Sequence, residues 1–456
     1  MSANLMDAMA LTEFSRRREK LLQAMQANSI CLIPAAHLVS RSRDTDYPFR
    51  QDSYFHYLSG FPEPQAWLVL SNQVHVTGVK RKNSTGLSIL FCLDKDEQAE
   101  IWHGRRIGPR QAQRQFAMDR AFPLDELDEE LLHLVDGHDH VYYAQGCHAE
   151  ADELVLGILQ ALRDAPKQSH HAPASLHDVR VILDEMRLFK SPFEVNLMRH
   201  AALISAEAHC RAMRCVAPGK NEYQLEAELH YVFAKHGAKS PAYCSIVAGG
   251  KNACILHYTN NDQVLNAEDL LLIDAGCEWQ GYAADITRTF PVSGRFSEAQ
   301  QLLYQIVLDA QLAAIALVKP GATFKQIGDA ATKVLTQGLI KLGILTGSLQ
   351  ANLDNQSYRA FFMHGIGHWL GLDVHDVGRY KEADNDRPLQ AGMVLTIEPG
   401  LYIDENTRVA AKWWKTGIRI EDNILVTEAG HEVLTIAVPK DIDEIHALMA
   451  DVMCSN

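Results

Sequence analysis

A chain of 456 residues exceeds what one hydrophobic core organises, so two or three domains are expected. It is 47% hydrophobic and 22% charged, the composition of a soluble globular protein. Its formal net charge of −14 argues against a nucleic-acid-binding surface, which needs clustered Lys and Arg.

In chain order, MSANLMDAMALTEFSRRREKLLQAMQ reads as an amphipathic helix. Its basic cluster follows the mild apolar stretch, the reverse of a signal peptide's order. No uncharged apolar run reaches membrane-spanning length. SICLIPA, AWLVLS and LSILFCL read as strands and ADELVLGILQALRD as a helix, which together predict an α/β domain. RDAPKQSHHAPASLHD (163–178) carries Pro, Ser and His without apolar periodicity, as a surface connection does. Ser191, Pro192 and Glu194 then form an S-x-x-E capping box before a run of helix formers that Pro218-Gly219 ends. A long helix therefore opens a second domain near residue 190, and another is expected over 297–317. The nine cysteines include no CxxC pair. A chain of this size has no need of a disulfide framework, so reduced thiols in a cytosolic compartment are expected.

Strand-like segments of the second half carry acids. LLLID ends in Asp274, and in GYAADITRTF period-2 alternation puts Ala283, Asp285, Thr287 and Thr289 on one face. MVLTIEPGLY runs into Glu398 before a Pro-Gly turn, and GIRIEDNILVT holds Glu421 on the same face as Arg419. A single such acid reads as a turn or edge residue. Four in four apolar strands do not, because burying one isolated carboxylate costs roughly several kcal/mol.

Between these segments, FFMHGIGHWLGLDVHDVG brings His364, His368 and His375 within 12 residues. It is not HExxH, and glycines beside histidines point to tight turns or close backbone approach. Asp274, Asp285, Glu398 and Glu421 carry four negative charges, which two divalent cations neutralise, and one His adds a neutral ligand. Mostly oxygen ligands favour Mn²⁺ or a similar ion over a thiolate zinc site, so Cys277 reads as a packing residue. Two metals ~3.5–4 Å apart polarise a carbonyl and hold a hydroxide as nucleophile.

The order Asp274, Asp285, His368, Glu398, Glu421 resembles the five-ligand signature of the pita-bread metallopeptidases, which include methionine aminopeptidase, prolidase, aminopeptidase P and the metal-free creatinase. HGIGHWLGLDVHDVG, ILHYTNN, IDAGCEWQGYAADITRTFP, TIEPGLY and GIRIEDNILVT carry the likeness over roughly 180–440, closest to the aminopeptidase P and prolidase signature. DTDYPFRQDSYFHYLSGFPEP and EIWHGRRIG look like the N-terminal domain of the bacterial aminopeptidase P group. The resemblance implies an α/β (α+β) fold: an N-terminal α/β domain of creatinase/aminopeptidase P type over 1–180 and a pita-bread catalytic domain over 181–456.

It also implies the chemistry. Two divalent ions, Mn²⁺ first and Co²⁺ or Zn²⁺ as alternatives, would be held by Asp274, Asp285, His368, Glu398 and Glu421, with Asp285 and Glu421 bridging. A metal-bridging hydroxide would release the first residue of peptides with proline second, with Glu398 handling the proton. His257 and His364 would position substrate and stabilise the tetrahedral intermediate, His375 would line the proline subsite, and Arg419 and Tyr402 would orient the acids. An X-Pro amide lacks an N–H, so a site that grips the carbonyl and the ring suits it. The neighbouring expectation is a prolidase restricted to Xaa-Pro dipeptides. A non-catalytic binding protein would show lost ligands, and none is lost. Family likeness further implies a homo-oligomer, dimer or tetramer, with Asp44 or Asp46 and Trp102 near a neighbouring subunit's site. It implies peptide substrates, no nucleic-acid or membrane partner, and a cytoplasmic location.

Overall fold

The computed structural model describes residues 3–73 and 86–451. The chain divides into two compact units, Met1–Met186 and Arg187–Asn456.

In the first unit, six strands form one sheet in the order 120–123, 87–92, 67–71, 29–34, 140–143, 175–177. The three central strands pair antiparallel and the outer ones join in parallel. Ser29–Pro34, Trp67–Ser71 and Leu87–Cys92 are buried along their whole length, which is why they read as unbroken apolar runs. Ile30, Leu32, Val69, Ile89 and Phe91 share a core with Val155, Ile158, Leu159 and Leu162 of the helix Ala149–Asp164. The N-terminal helix spans Ala3–Ala24. Its basic cluster turns inward: Arg17 and Arg18 donate to the carbonyls of Tyr57 and Leu58 at the end of the helix Ser53–Ser59. The 163–178 stretch is not wholly a connection. Ser175–His177 adds an edge strand, with Leu176 opposite Val141, too short to show any period in sequence.

In the second unit, the helix Pro192–Cys215 opens with the expected Ser191–Glu194 capping box. Glu298–Ile315 matches the second expected helix. Two further helices, Glu222–Lys235 and Phe324–Lys341, carry capping boxes of their own, Asn221–Gln224 and Thr323–Gln326, a signal present in the sequence but not read. Against these helices lie antiparallel sheets ordered 246–249, 270–274, 287–291 and 394–397, 422–427, 430–433, and the pair 400–403, 416–419.

Asp274 and Glu398 stand at the ends of their strands as the apolar runs predict, whereas Asp285 and Glu421 stand between strands instead of inside one. Asp274 is the last residue of Leu270–Asp274, and Asp285 lies between Tyr282–Ala283 and Thr287–Pro291. Glu398 lies between Val394–Ile397 and Gly400–Ile403, and Glu421 between Thr416–Arg419 and Asp422–Thr427. The physical reason is sheet switching. Strand 394–397 pairs with 422–427, while 400–403 pairs with 416–419, so the chain must leave one ladder for another at 398 and at 421. At those crossings the pleat no longer dictates where a side chain points.

Cys31, Cys92, Cys147, Cys210, Cys244, Cys254 and Cys277 are free thiols, and Cys277 is buried as a packing residue. Cys215 is disulfide-bonded, which departs from the expectation of reduced thiols throughout. Cys454 lies outside the described residues.

A buried ion cluster ties strand 422–427 to the rest of the unit. Asp422 accepts from Arg288 at 2.7 Å and from Lys440 at 2.7 Å, with Arg288 and Asp422 fully buried. Asp422→Asn would leave two cations without their counter-charge. We expect the metal-free variant to lose about 3–5 kcal/mol of stability, read as a lowered urea midpoint with the slope unchanged.

Candidate active site

Four crossings and one irregular loop converge on a cavity of about 460 Å³ in the second unit. Its lining includes Asp274, Asp285, His364, His368, Glu398, Arg419 and Glu421, together with His257 and His375. Every residue singled out there from sequence is thus brought to one place except Tyr402, which stands just behind the wall. Asp44, Asp46 and Trp102 belong to the first unit and are exposed, Trp102 at 83%.

Asp274 and Asp285 come together because the 270–274 and 287–291 strands pair, with Asp274 opposite Thr287. Glu421 is drawn to the same point by Thr287, whose hydroxyl donates to Glu421 Oε2 at 2.7 Å. His368 is carried by the glycine-containing loop. Its backbone N–H donates to Thr396 Oγ1 at 3.0 Å, and Thr396 in turn donates to Glu398 Oε1 at 3.2 Å. Gly367 allows this approach: a Cβ there would lie 1.9 Å from the Thr396 carbonyl oxygen. The ligand atoms of Asp285, His368 and Glu421 all fall within 4.8 Å of one another.

Arg419 braces the acids from behind. It donates to Asp274 Oδ2 at 2.6 Å, to Tyr402 Oη at 3.0 Å and to Thr287 Oγ1 at 3.1 Å. Tyr402 also meets His364 Nε2 at 2.8 Å, while His364 Nδ1 lies 2.8 Å from the Gly365 carbonyl. A carbonyl only accepts, so Nδ1 carries the proton and Nε2 accepts from Tyr402. Burial and the nearby Arg419 push the His364 imidazole down to about 4, consistent with that neutral form.

The electrostatics are those of a cluster short of positive charge. Burial pushes Glu398 up to about 7, with Asp285 and Asp274 adding to the effect against His368 and Arg419. Glu421 is raised well above the ordinary range by burial and then by Asp285, Glu398 and Asp274. Asp274 is raised by burial, partly offset by Arg419. Burial acts to lower the His368 imidazole, but Asp285 outweighs it and the ring is pushed up to about 9.

Two observations show that the residues fit cations. The Tyr243 hydroxyl lies 2.7 Å from Asp274 Oδ1 and 2.5 Å from Asp285 Oδ1. It has one proton, so it can donate to only one of them. His368 Nδ1 donates to the Trp369 carbonyl at 2.9 Å, which in the neutral ring leaves the Nε2 lone pair aimed at Asp285 Oδ2, 3.4 Å away, and Glu398 Oε1, 3.5 Å away. With the ring pushed up to about 9, its own proton supplies the positive charge between the two carboxylates, and a metal ion bound at Nε2 of the neutral ring would take that proton's place. Sequence reasoning missed Tyr243 and Thr396. A lone Tyr or Thr carries no spacing signal, and only folding sets them beside the acids.

Buried carboxylates and an imidazole around one cavity are the donor set of a metal-dependent enzyme. Residues 196–428 match the model of metallopeptidase family M24, and residues 14–142 match the aminopeptidase P N-terminal domain. The chain is 47% identical to the Xaa-Pro aminopeptidase of Escherichia coli, covering 97% of this chain and 99% of that one. The structure of Pseudomonas aeruginosa aminopeptidase PepP superposes with a TM-score of 0.94 at 46% identity, covering 97% of this chain and 98% of the other. Zinc-substituted E. coli aminopeptidase P in complex with product gives a TM-score of 0.93 at 46% identity, over 98% of this chain and 99% of that one. The chain belongs to metallopeptidase family M24, in its aminopeptidase P branch. It is a metallopeptidase of the Xaa-Pro aminopeptidase type, with the pita-bread catalytic domain preceded by the aminopeptidase P N-terminal domain.

Gly367→Ala tests the local geometry. Its Cβ must displace the Thr396 carbonyl and with it His368. We expect activity to fall by about 10²-fold, with fewer metal equivalents retained after dialysis, while far-ultraviolet circular dichroism is unchanged.

Proposed function

We propose that this chain releases the N-terminal residue from peptides with proline in the second position, using two divalent metal ions. The observation that supports this best is the convergence of Asp285, His368 and Glu421 within 4.8 Å, with Asp274 and Glu398 on the same cavity. In this reading Asp274, Asp285, His368, Glu398 and Glu421 would hold the two ions, with Asp285 and Glu421 expected to be shared between them. Bound there, a metal pair supplies Lewis-acid polarisation of the scissile carbonyl and a nucleophile at neutral pH.

The chain's own groups do the rest. Glu398 Oε2 faces the cavity 3.8 Å from His364 Nδ1 and takes the proton of the attacking water, then delivers it to the leaving proline nitrogen. Arg419 fixes the Asp274 carboxylate, and through Tyr402 it fixes His364. His257 and His364 hold the substrate and the developing oxyanion. His375 lines the subsite for the proline ring, with Ile246, Leu256 and Val374 as apolar lining. The oxygen-rich donor set favours Mn²⁺, with Co²⁺ or Zn²⁺ able to occupy the same ligands. The reading includes a homo-oligomer, supported by exposed Ile101 and Trp102 on the first unit. It also includes a cytoplasmic location, supported by the free thiols, with the Cys215 disulfide the one feature running the other way. Among the described residues, no helix is long and apolar enough to cross a membrane.

The metal-loaded protein should release the first residue from an Xaa-Pro-Pro peptide, lose that activity to a chelator and regain it with Mn²⁺. Product identification decides the substrate class. Hydrolysis of an Xaa-Pro dipeptide but not of the longer peptide would replace the aminopeptidase reading with a prolidase.

Asp285→Asn removes one bridging charge. Its activity should drop below detection while its thermal unfolding stays cooperative. Turnover near the unsubstituted level would overturn the bridging role.

A further inference from the structure

Behind the His375 wall of the cavity lies a buried ion cluster that none of the metal or proton roles uses. Asp376 Oδ1 accepts from Arg187 Nη2 at 2.6 Å, and Oδ2 accepts from Lys190 Nζ at 2.8 Å. The side chains of all three are 1% exposed. Arg187 Nη2 also donates to Asp373 Oδ2 at 2.7 Å, and Asp373, at 36% exposure, forms the open edge of the cluster. Two cations and two carboxylates balance. A buried ion cluster is weak evidence for stability, since apolar side chains of the same volume serve about as well. What it does impose is geometry, because each partner is fixed by direction as well as by distance.

The geometry it imposes reaches the cavity. Residues 368–376 close on themselves: the Trp369 carbonyl accepts from both His368 Nδ1 and the Asp376 backbone N–H, each at 2.9 Å. Gly371 makes room for the cluster, since a Cβ there would lie 2.1 Å from Asp376 Oδ2 and 2.9 Å from Lys190 Cε. Its carbonyl accepts from Ala283 N–H at 2.8 Å, fastening the loop to the segment that leads into Asp285. His375 and Asp376 are neighbours with opposite destinations. Asp376 enters the cluster, and His375 faces the cavity with its ring centroid 4.2 Å from that of His368. Moving one moves the other.

We propose that Lys190 and Arg187, acting through Asp376 and Asp373, are positioning residues that set the His375 wall of the substrate cavity. They touch no substrate. They hold the loop so that the His375 imidazole meets the second residue of the bound peptide at a fixed distance from the scissile bond. This rests on the reading of the cavity as a peptide site.

A double-mutant cycle on the full-length, Mn²⁺-loaded enzyme tests it. Lys190→Met removes the charge and keeps the stem, and Arg187 still pairs with Asp376, so the fold has its main support. With an Xaa-Pro-Pro peptide, Lys190→Met should raise KM by about tenfold and leave kcat within about twofold, with metal content unchanged. In the His375→Ala background the same substitution should change kcat/KM by less than about twofold, because the residue it acts through is gone. Asp373→Asn, at the exposed edge, gives a second cycle with a smaller shift in the same direction, readable even if Lys190→Met fails to fold. Losses that multiply fully in the double variants would overturn the proposal, and so would an unchanged KM in both single variants. No release of the first residue by the unsubstituted enzyme would instead overturn the substrate reading, and the proposal with it.

Discussion

Like-charge repulsion among Asp274, Asp285, Glu398 and Glu421 is the constraint around which the catalytic unit is built. Four carboxylates share one cavity, and burial removes the water that would screen them. Among the described residues of the lining, Arg419 is the one permanent cation, and it is committed to Asp274. The fold holds the acids together by fixing backbone instead of neutralising charge. Each acid ends a strand or stands at a crossing, with hydrogen-bonded ladder close by, so the chain cannot relax to separate them. The deficit of positive charge is what a metal pair corrects. Burial with that deficit pushes Glu398 up to about 7, and Asp285 pushes the His368 imidazole up to about 9.

Glu421 and Asp422 show how finely this is decided. They are adjacent, acidic and both buried. Asp422 turns to Arg288 and Lys440, which hold it down to about 2 against the cost of burial. Glu421 turns the other way, receives a hydrogen bond from Thr287 and shares its surroundings with three more carboxylates. One acid is matched by the chain and is structural. The other is matched by no cation among the described residues, and in the proposed site it would be a metal ligand.

The two faces of the 368–376 loop repeat that division. One side presents His368 and His375 to the cavity, and the other closes on Arg187, Lys190 and Asp376. Glycines at 367 and 371 are required there for space: the Thr396 carbonyl and the Asp376 carboxylate occupy the volume a side chain would need.

Much of this was legible in the sequence. Apolar runs marked the strands of the first unit because those strands are buried on both faces. Capping boxes marked helix starts, since the chemistry of Ser191 with Glu194 is local; the same local signal at Asn221 and Thr323 was there to be read. The acids at 274, 285, 398 and 421 were conspicuous because carboxylates are rare in apolar surroundings. What sequence placed wrongly was the backbone setting of Asp285 and Glu421, which lie between strands. Period-2 alternation assumes a continuous ladder, and the ladder breaks where the chain changes sheets, a fact fixed by which strands pair and, at 421, by hydrogen bonds to Thr287 more than a hundred residues away. Tyr243, Thr396, and the opposite fates of Glu421 and Asp422 were likewise beyond reach. Residue type and spacing determine which groups are available. Only tertiary packing decides which of them lose water together, and it is that shared loss of water that turns a set of acids into a site.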